Sequence, residues 1–323
     1  MSFIKRVAFV CFALVAGVSD GSVNAMEPAT RAKSEDVQVI VLGIAQDAGF
    51  LQAACRKRCC ADAWKDPSLR RHASCLAIVD HATDQRWLVE CTPNFPEQLK
   101  ALDRVALPKE STLGIDGIFL THAHIGHYAG LIHLGREVTG SSGIPVHAMP
   151  RMSRFLQTNG PWSQLVRLGN IRLRPLGDET VVRLNERITV RPFLVPHRDE
   201  FSETVGFVIS GPSKTVVFIP DIDKWSRWDR RIEDMITACD IAFLDGTFFN
   251  NGEIPGRDMS LIPHPFIRES IQRFSTLDRD TRDRIHFIHL NHTNPALIRD
   301  SSAAKQIKDA GMQVAEEGQI VDL

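Results

Sequence analysis

Residues 117–131 read G-I-F-L-T-H-A-H-I-G-H-Y-A-G-L. The apolar run 117–120 has the length and composition of a strand. It stops at Thr121, and His122, His124 and His127 follow within six residues. Gly130 and Leu131 then open an expected helix over about 129–138. A strand that fixes where a loop starts, a helix that fixes where it ends, and imidazoles between them make a metal site. Neutral imidazole is the commonest protein ligand for metals, and zinc takes its nitrogen at about 2.0–2.1 Å.

On these residues the chain resembles the metallo-β-lactamase superfamily, whose signature T-H-x-H-x-D-H-x-x-G is met by T-H-A-H-I-G-H-Y-A-G at every position but one. Gly126 stands where the family has Asp. The resemblance implies that His122 and His124 hold a first metal and His127 a second. With no carboxylate at 126, the second ion is expected to bind more weakly, and Gly126→Asp to strengthen it. It also implies an α+β fold, a four-layer αββα sandwich with the site along one edge.

Upstream, residues 1–25 have a basic start (Lys5, Arg6), an apolar run over 7–18 and a small-x-small close at Val23-Asn24-Ala25. That is the pattern of a secretory signal peptide, and the run is too short to span a membrane at about 20 residues. A polar lead, 26–36, and a single domain, 37–323, follow. The expected location is therefore periplasmic or secreted, with no membrane association beyond the signal peptide. A net charge of −1 over 323 residues leaves no basic footprint for nucleic acid. The expected partner is a small-molecule substrate.

Strands are expected at 37–42, 75–80, 86–91, 144–149, 171–176, 188–195, 204–209, 215–220, 241–244 and 285–290. Helices are expected at 93–102, 225–237 and 301–310, with a helical or irregular patch at 151–166 and a closing hairpin at 313–323. Pairing 75–80 with 86–91 symmetrically about Thr83 sets Cys75 opposite Cys91, a candidate cross-strand disulfide. Cys55, Cys59 and Cys60, in an exported chain, offer either a disulfide or part of a structural metal site.

His197, on a loop between two strands, is the candidate third ligand of the first ion. Asp221 follows strand T-V-V-F-I-P, where the superfamily carries its bridging carboxylate, and Asp223 suits a helix cap. His289 ends the strand H-F-I-H, where the family's last ligand lies. His292 is placed either near the gap left by Gly126 or as an orienting donor. His264, between Pro263 and Pro265, resembles a histidine that in the phosphodiesterase branches meets the substrate oxyanion or leaving group. The catalytic candidates are thus Asp221, His264 and His292, and the metal candidates His122, His124, His127, His197, Asp221 and His289. His72, His81, His133, His147 and His286 are read as ordinary core or surface residues.

The segments G-F-L-Q, F-L-D-G-T-F-F, G-R-D-M and H-L-N-H-T-N-P-A-L are most similar to the branch of the superfamily that includes pyrroloquinoline quinone biosynthesis B proteins. The signal peptide and the fuller histidine set depart from that branch, and imply an exported hydrolase attacking a carbonyl or phosphoryl centre with metal-activated water. Zinc is the expected metal, one ion tight and one weaker, with iron or manganese as alternatives. The alternative functions are iron-dependent oxygenation in cofactor assembly, or metal or ligand binding without catalysis.

Overall fold

The computed structural model describes residues 36–108 and 113–323. The expected signal peptide at 1–25 and nearly all of the polar lead lie outside them. None of the described helices is long and apolar enough to cross a membrane.

The strands run β1 (Val37–Gly43), β2 (Cys75–Asp80), β3 (Gln85–Val89), β4 (Gly117–Phe119), β5 (Ile144–Ala148) and β6 (Ile171–Pro175) through the first half. The second half adds β7 (Val182–Arg183), β8 (Thr189–Leu194), β9 (Val205–Ser210), β10 (Thr215–Ile219), β11 (Ile241–Asp245), β12 (Ile285–Ile288), β13 (Gln313–Val314) and β14 (Ile320–Asp322). They form two seven-stranded sheets among the described residues, ordered β14-β1-β2-β3-β4-β5-β6 and β13-β12-β11-β10-β9-β8-β7.

β1 shows why the architecture is layered. Val37, Val39 and Val41 enter the core between the sheets, while Ile40 and Leu42 enter a separate core on the outer face. Alternate side chains of a strand point to opposite faces, so a strand covered on both sides reads as a nearly unbroken apolar run. Helices Phe95–Val105, Pro150–Thr158 and Trp162–Arg167 close the outer face of the first sheet, supplying Leu102, Met152, Leu156 and Leu165. Helices Ile232–Ala238, Ile267–Phe274 and Ser302–Asp309 cover the second sheet through Ile236, Phe274 and Ile307. The molecule is the four-layer αββα sandwich that the resemblance implies.

Several local expectations change. The 75–91 hairpin forms, but Leu76 faces Val89 and Asp80 faces Gln85, one residue away from symmetry about Thr83. Cys75 and Cys91 are free, buried thiols rather than a disulfide. The helix after the histidines starts earlier, as an α-turn at Ile125–Tyr128 continued by a 3-10 helix at Ala129–Leu134. The segment 225–237 divides into a 3-10 turn, Trp225–Arg227, and a helix, Ile232–Ala238. Trp228 interrupts it by donating its indole N–H to the Leu194 carbonyl at 3.1 Å. Residues 313–323 are no hairpin: β13 pairs with β12 in one sheet and β14 with β1 in the other.

Pairing directions bring the ligands together. β1, β3 and β4 are mutually parallel in the first sheet, as are β8, β10, β11 and β12 in the second. The C-terminal ends of these strands therefore open toward one rim of the sandwich. The sheets are tied there by the Val205 amide donating to the Thr121 carbonyl, 3.2 Å.

Candidate metal centre

His122 and His124 lie on the extended segment that leaves β4, whereas His127 rides the α-turn closed by its own amide on the His124 carbonyl, 3.0 Å. This change of backbone inside the histidine run aims the rings at two different points. His122 Nε2 and His124 Nδ1 approach within 2.8 Å, and the ligand atoms of His122, His124, His197 and Asp221 all lie within 4.8 Å of one another. A second group, Asp47, His127 and His289, meets the same criterion.

Asp221, on the rim just after β10, connects the two. Its Oδ2 is 3.3 Å from His122 Nε2, 3.8 Å from His124 Nδ1, 3.9 Å from His127 Nε2 and 4.0 Å from His289 Nε2. Its Oδ1 is 3.2 Å from His197 Nε2 and 3.2 Å from His264 Nδ1. The carboxylate is thus placed to bridge two cations. Nε2 of His127, His197 and His289 and Oδ1 of Asp221 are buried without hydrogen-bond partners. Leaving such atoms unsatisfied costs roughly 1–3 kcal/mol each. A shared cation satisfies them together, and imidazoles with carboxylate are a donor set that zinc accepts. The residues present fit the metal.

The other nitrogen of each buried ligand ring is held by a second residue, which fixes the ring's orientation. Thr121 Oγ1 meets His122 Nδ1 at 2.9 Å, Glu90 Oε1 meets His127 Nδ1 at 3.2 Å, Asp223 Oδ1 meets His197 Nδ1 at 3.2 Å and Thr247 Oγ1 meets His289 Nδ1 at 3.0 Å. Asp223 therefore orients His197 rather than capping a helix, and its other oxygen accepts from Arg227 at 2.9 Å. Two of these residues sit in left-handed backbone at strand ends, Glu90 with φ 84° and His289 with φ 64°. Such conformations persist in side-chain-bearing residues where the surroundings impose them, often at functional sites.

Electrostatics follow from burial among opposite charges. Burial, joined by the charges of His127 and His124, holds His122 well below the ordinary imidazole range against the pull of Asp221, which favours the neutral ring that a metal accepts. For His197 burial pushes down, but the charge and hydrogen bonds of Asp221 and Asp223 prevail and raise it to about 10. His264 is lowered by burial and raised further by Asp245 and Asp221, a net rise. Its Nδ1 lies 2.8 Å from Asp245 Oδ2.

The structure brings His122, His124, His127, His197, His289, Asp221 and His264 together at the rim, and places His292 in a different group. His292 joins Cys55, Cys59 and Cys60 in another four-donor group whose ligand atoms lie within 4.8 Å of one another. Cys55 Sγ and Cys59 Sγ are 3.6 Å apart. That is far beyond a disulfide bond, but near the edge of about 3.8 Å of a tetrahedron with 2.3 Å zinc–sulfur arms. Three thiols and one imidazole form a closed structural zinc set. Of the histidines set aside, His147 stacks on Phe119 with ring centroids 4.3 Å apart, and His286 Nδ1 is 3.2 Å from Gln319 Nε2.

The sequence reading passed over Asp47, Glu90, Asp245 and Thr247. Asp47, Glu90 and Asp245 share one signal: each is an acidic residue at or just beyond the C-terminal end of a strand, as the recognised ligands are.

Comparison with known proteins agrees with this fold. A family model described as beta-lactamase superfamily domain matches residues 85–296. The coenzyme PQQ synthesis protein B of Methylorubrum extorquens (strain PA1) is 24% identical over 89% of this chain and 100% of its own length. That of Methylobacterium nodulans is 26% identical over the same shares. The crystal structure of zinc-bound PqqB from Methylobacterium extorquens superposes with a TM-score of 0.75 at 23% identity, covering 88% of this chain and 100% of that one. A diphosphatase of the PhnP family gives 0.60 at 21% identity, covering 89% and 97%. With the family model matched across both halves of the rim, the chain belongs to the metallo-β-lactamase-fold superfamily.

Proposed function

We propose that this protein is a metal-dependent hydrolase acting on a small molecule, rather than nucleic acid, at a carbonyl or phosphoryl centre in an ester, phosphodiester, lactone or lactam. The observation that carries this reading is the buried Asp221 carboxylate, set between His122, His124 and His197 on one side and His127 and His289 on the other. One zinc ion would be held by His122, His124, His197 and Asp221, and a second by His127, His289 and Asp221. When bound, zinc supplies a Lewis acid and lowers the pKa of a ligating water from 15.7 to about 7.

This chain's own residues do the rest. Thr121, Glu90, Asp223 and Thr247 hold the rings, so no reorganisation is needed as charge develops. Were the second position empty, Asp221, with His127 and His289, would instead orient the attacking water and take its proton. His264 is fixed through Nδ1 by Asp245, whose charge favours the protonated ring over the desolvation that opposes it, and it would present Nε2 to the developing oxyanion or leaving group.

The test is metal analysis of the native protein followed by a panel of phosphodiesters, esters, lactones and β-lactams. Turnover that chelation removes and zinc restores is expected. A metal-loaded protein inert toward the whole panel would overturn the proposal. Export belongs to the same reading: the mature protein is expected to begin near Met26, and an intact Met1 in a soluble cytosolic fraction would refute it.

A second reading is favoured by relatives matched along their whole length and named for coenzyme PQQ synthesis. It is a cofactor-assembly enzyme using iron. Iron in the host-purified protein, with oxygen uptake on adding substrate, would favour it.

A further inference from the structure

The superfamily signature places an Asp at position 126, and this chain has Gly there. The structure shows what occupies the space. A Cβ built on Gly126 would fall inside contact distance of Asp47 Cα and Oδ1, and 2.9 Å from its Cβ. Real Cβ atoms do not approach backbone so closely. Asp47 and a side chain at 126 therefore compete for one volume.

Asp47 is aimed where the missing carboxylate would be needed. Its Oδ1 is 3.3 Å from His127 Nε2 and 3.8 Å from His289 Nε2, and this oxygen is buried with no hydrogen-bond partner. The segment that carries it is stapled to the second sheet rather than hanging free. The Gln46 amide donates to the Leu290 carbonyl at 2.9 Å, and the Leu290 amide to the Ile44 carbonyl at 2.8 Å. Asn291 Nδ2 donates to Gln46 Oε1. These bonds run to the residues immediately after His289, so the β1 extension and that ligand are held as one unit.

We infer that Asp47 is the terminal carboxylate ligand of the second metal position, supplied from the loop after β1 in exchange for the residue lost at 126. The inference rests on the two-ion reading of the rim, and it reverses two expectations drawn from the signature. The second position is not short of a carboxylate, and Gly126→Asp adds no ligand while Asp47 remains.

The test is metal stoichiometry by elemental analysis after gel filtration, with competition against a chromophoric chelator. The variants are Asp47→Asn, Gly126→Asp and the double variant Asp47→Gly/Gly126→Asp, each checked for fold by circular dichroism. Asp47→Asn, nearly isosteric, is expected to lose one equivalent relative to wild type, or at least about 10-fold in affinity at one position. Gly126→Asp alone is expected to gain nothing and to lose stability, and the double variant to recover the wild-type count. Unchanged stoichiometry and affinity in Asp47→Asn would overturn the assignment, as would tighter binding in Gly126→Asp alone. A folded double variant that stays one ion short would overturn the exchange. Wild type that binds the full complement but hydrolyses nothing would defeat the hydrolase reading and leave the ligand assignment standing. Zinc-dependent turnover in an Asp47→Asn variant with all its ions would do the reverse.

Discussion

Two groups of candidate metal donors sit among the described residues, and they differ in how they are built. The rim of the sandwich gathers imidazoles and carboxylates from seven strand ends around Asp221. The group Cys55, Cys59, Cys60 and His292 is built mainly from one short helix, Arg58–Lys65, and the turn before it. Four protein donors close a tetrahedral zinc shell, whereas a catalytic site keeps a position for water or substrate. The rim mixes shared carboxylate with rings of differing exposure, and His124 is its partly open member. On the proposed reading a rim ion would take part in the chemistry and an ion at the cysteines would only brace the fold, and variants can address each group separately.

The sharpest break is Asp221→Asn. Activity is expected to fall by more than about 100-fold, beyond what residues that only orient ligands usually cost, with circular dichroism unchanged. A variant with near wild-type kcat would erase the distinction. Thr247→Val should come next, because it frees His289 Nδ1 and removes the hydroxyl held at 2.7 Å by Asp245 Oδ1. A loss of about 10- to 100-fold in metal affinity at the rim is expected by titration, with no change in the ion held by the cysteines.

Cys60→Ser tests the other side. One equivalent of metal should disappear and Tm should fall by roughly 5–10 °C, equivalent to about 2–3 kcal/mol for a domain of this size. The kcat of the surviving folded protein should stay at the wild-type value. A collapse of kcat at intact Tm would place this group in the chemistry instead.

Acid is the reagent most apt to blur the two, because histidines outside both groups also respond to it. Burial, with the charge of Arg174 added, pushes His147 down to about 4. The folded protein then refuses a proton that the unfolded chain accepts below about 6.5, so stability is full above that pH and declines toward 4. In metal-free protein, His147→Phe, which keeps an aromatic ring against Phe119, should shallow that decline by on the order of 1 kcal/mol after screening. Chemical denaturation at pH 7 and 4.5 measures it. Equal slopes in both proteins would show that the acid response comes from elsewhere.

What could be read before the structure was what lies close together in the chain. The run 117–131 announces its strand, its loop and three ligands because they are contiguous. Strand ends flagged His197, Asp221 and His289, since alternating apolar runs give their boundaries within a few residues. What failed was what depends on pairing across the fold. The grouping of His292 with the cysteines was hidden because they lie over 230 residues upstream, brought near by the docking of β1's extension on Leu290. Asp47 was hidden by the same contact. The Cys75–Cys91 bond failed on a register difference of a single residue, which no composition reveals and which redirects every side chain of a strand.

Residues 313–323 give one edge strand to each sheet, and β14 lies directly on β1. The Leu323 amide donates to the Val37 carbonyl at 2.8 Å, and its side chain is buried. Among the described residues the first strand is thus held by the last. Deleting even the last few residues, or crowding them with a carboxyl-terminal purification tag, would slacken β1 and the segment beyond it that carries Asp47, so on the ligand assignment inferred above an ordinary cloning choice would weaken metal binding without touching a single ligand.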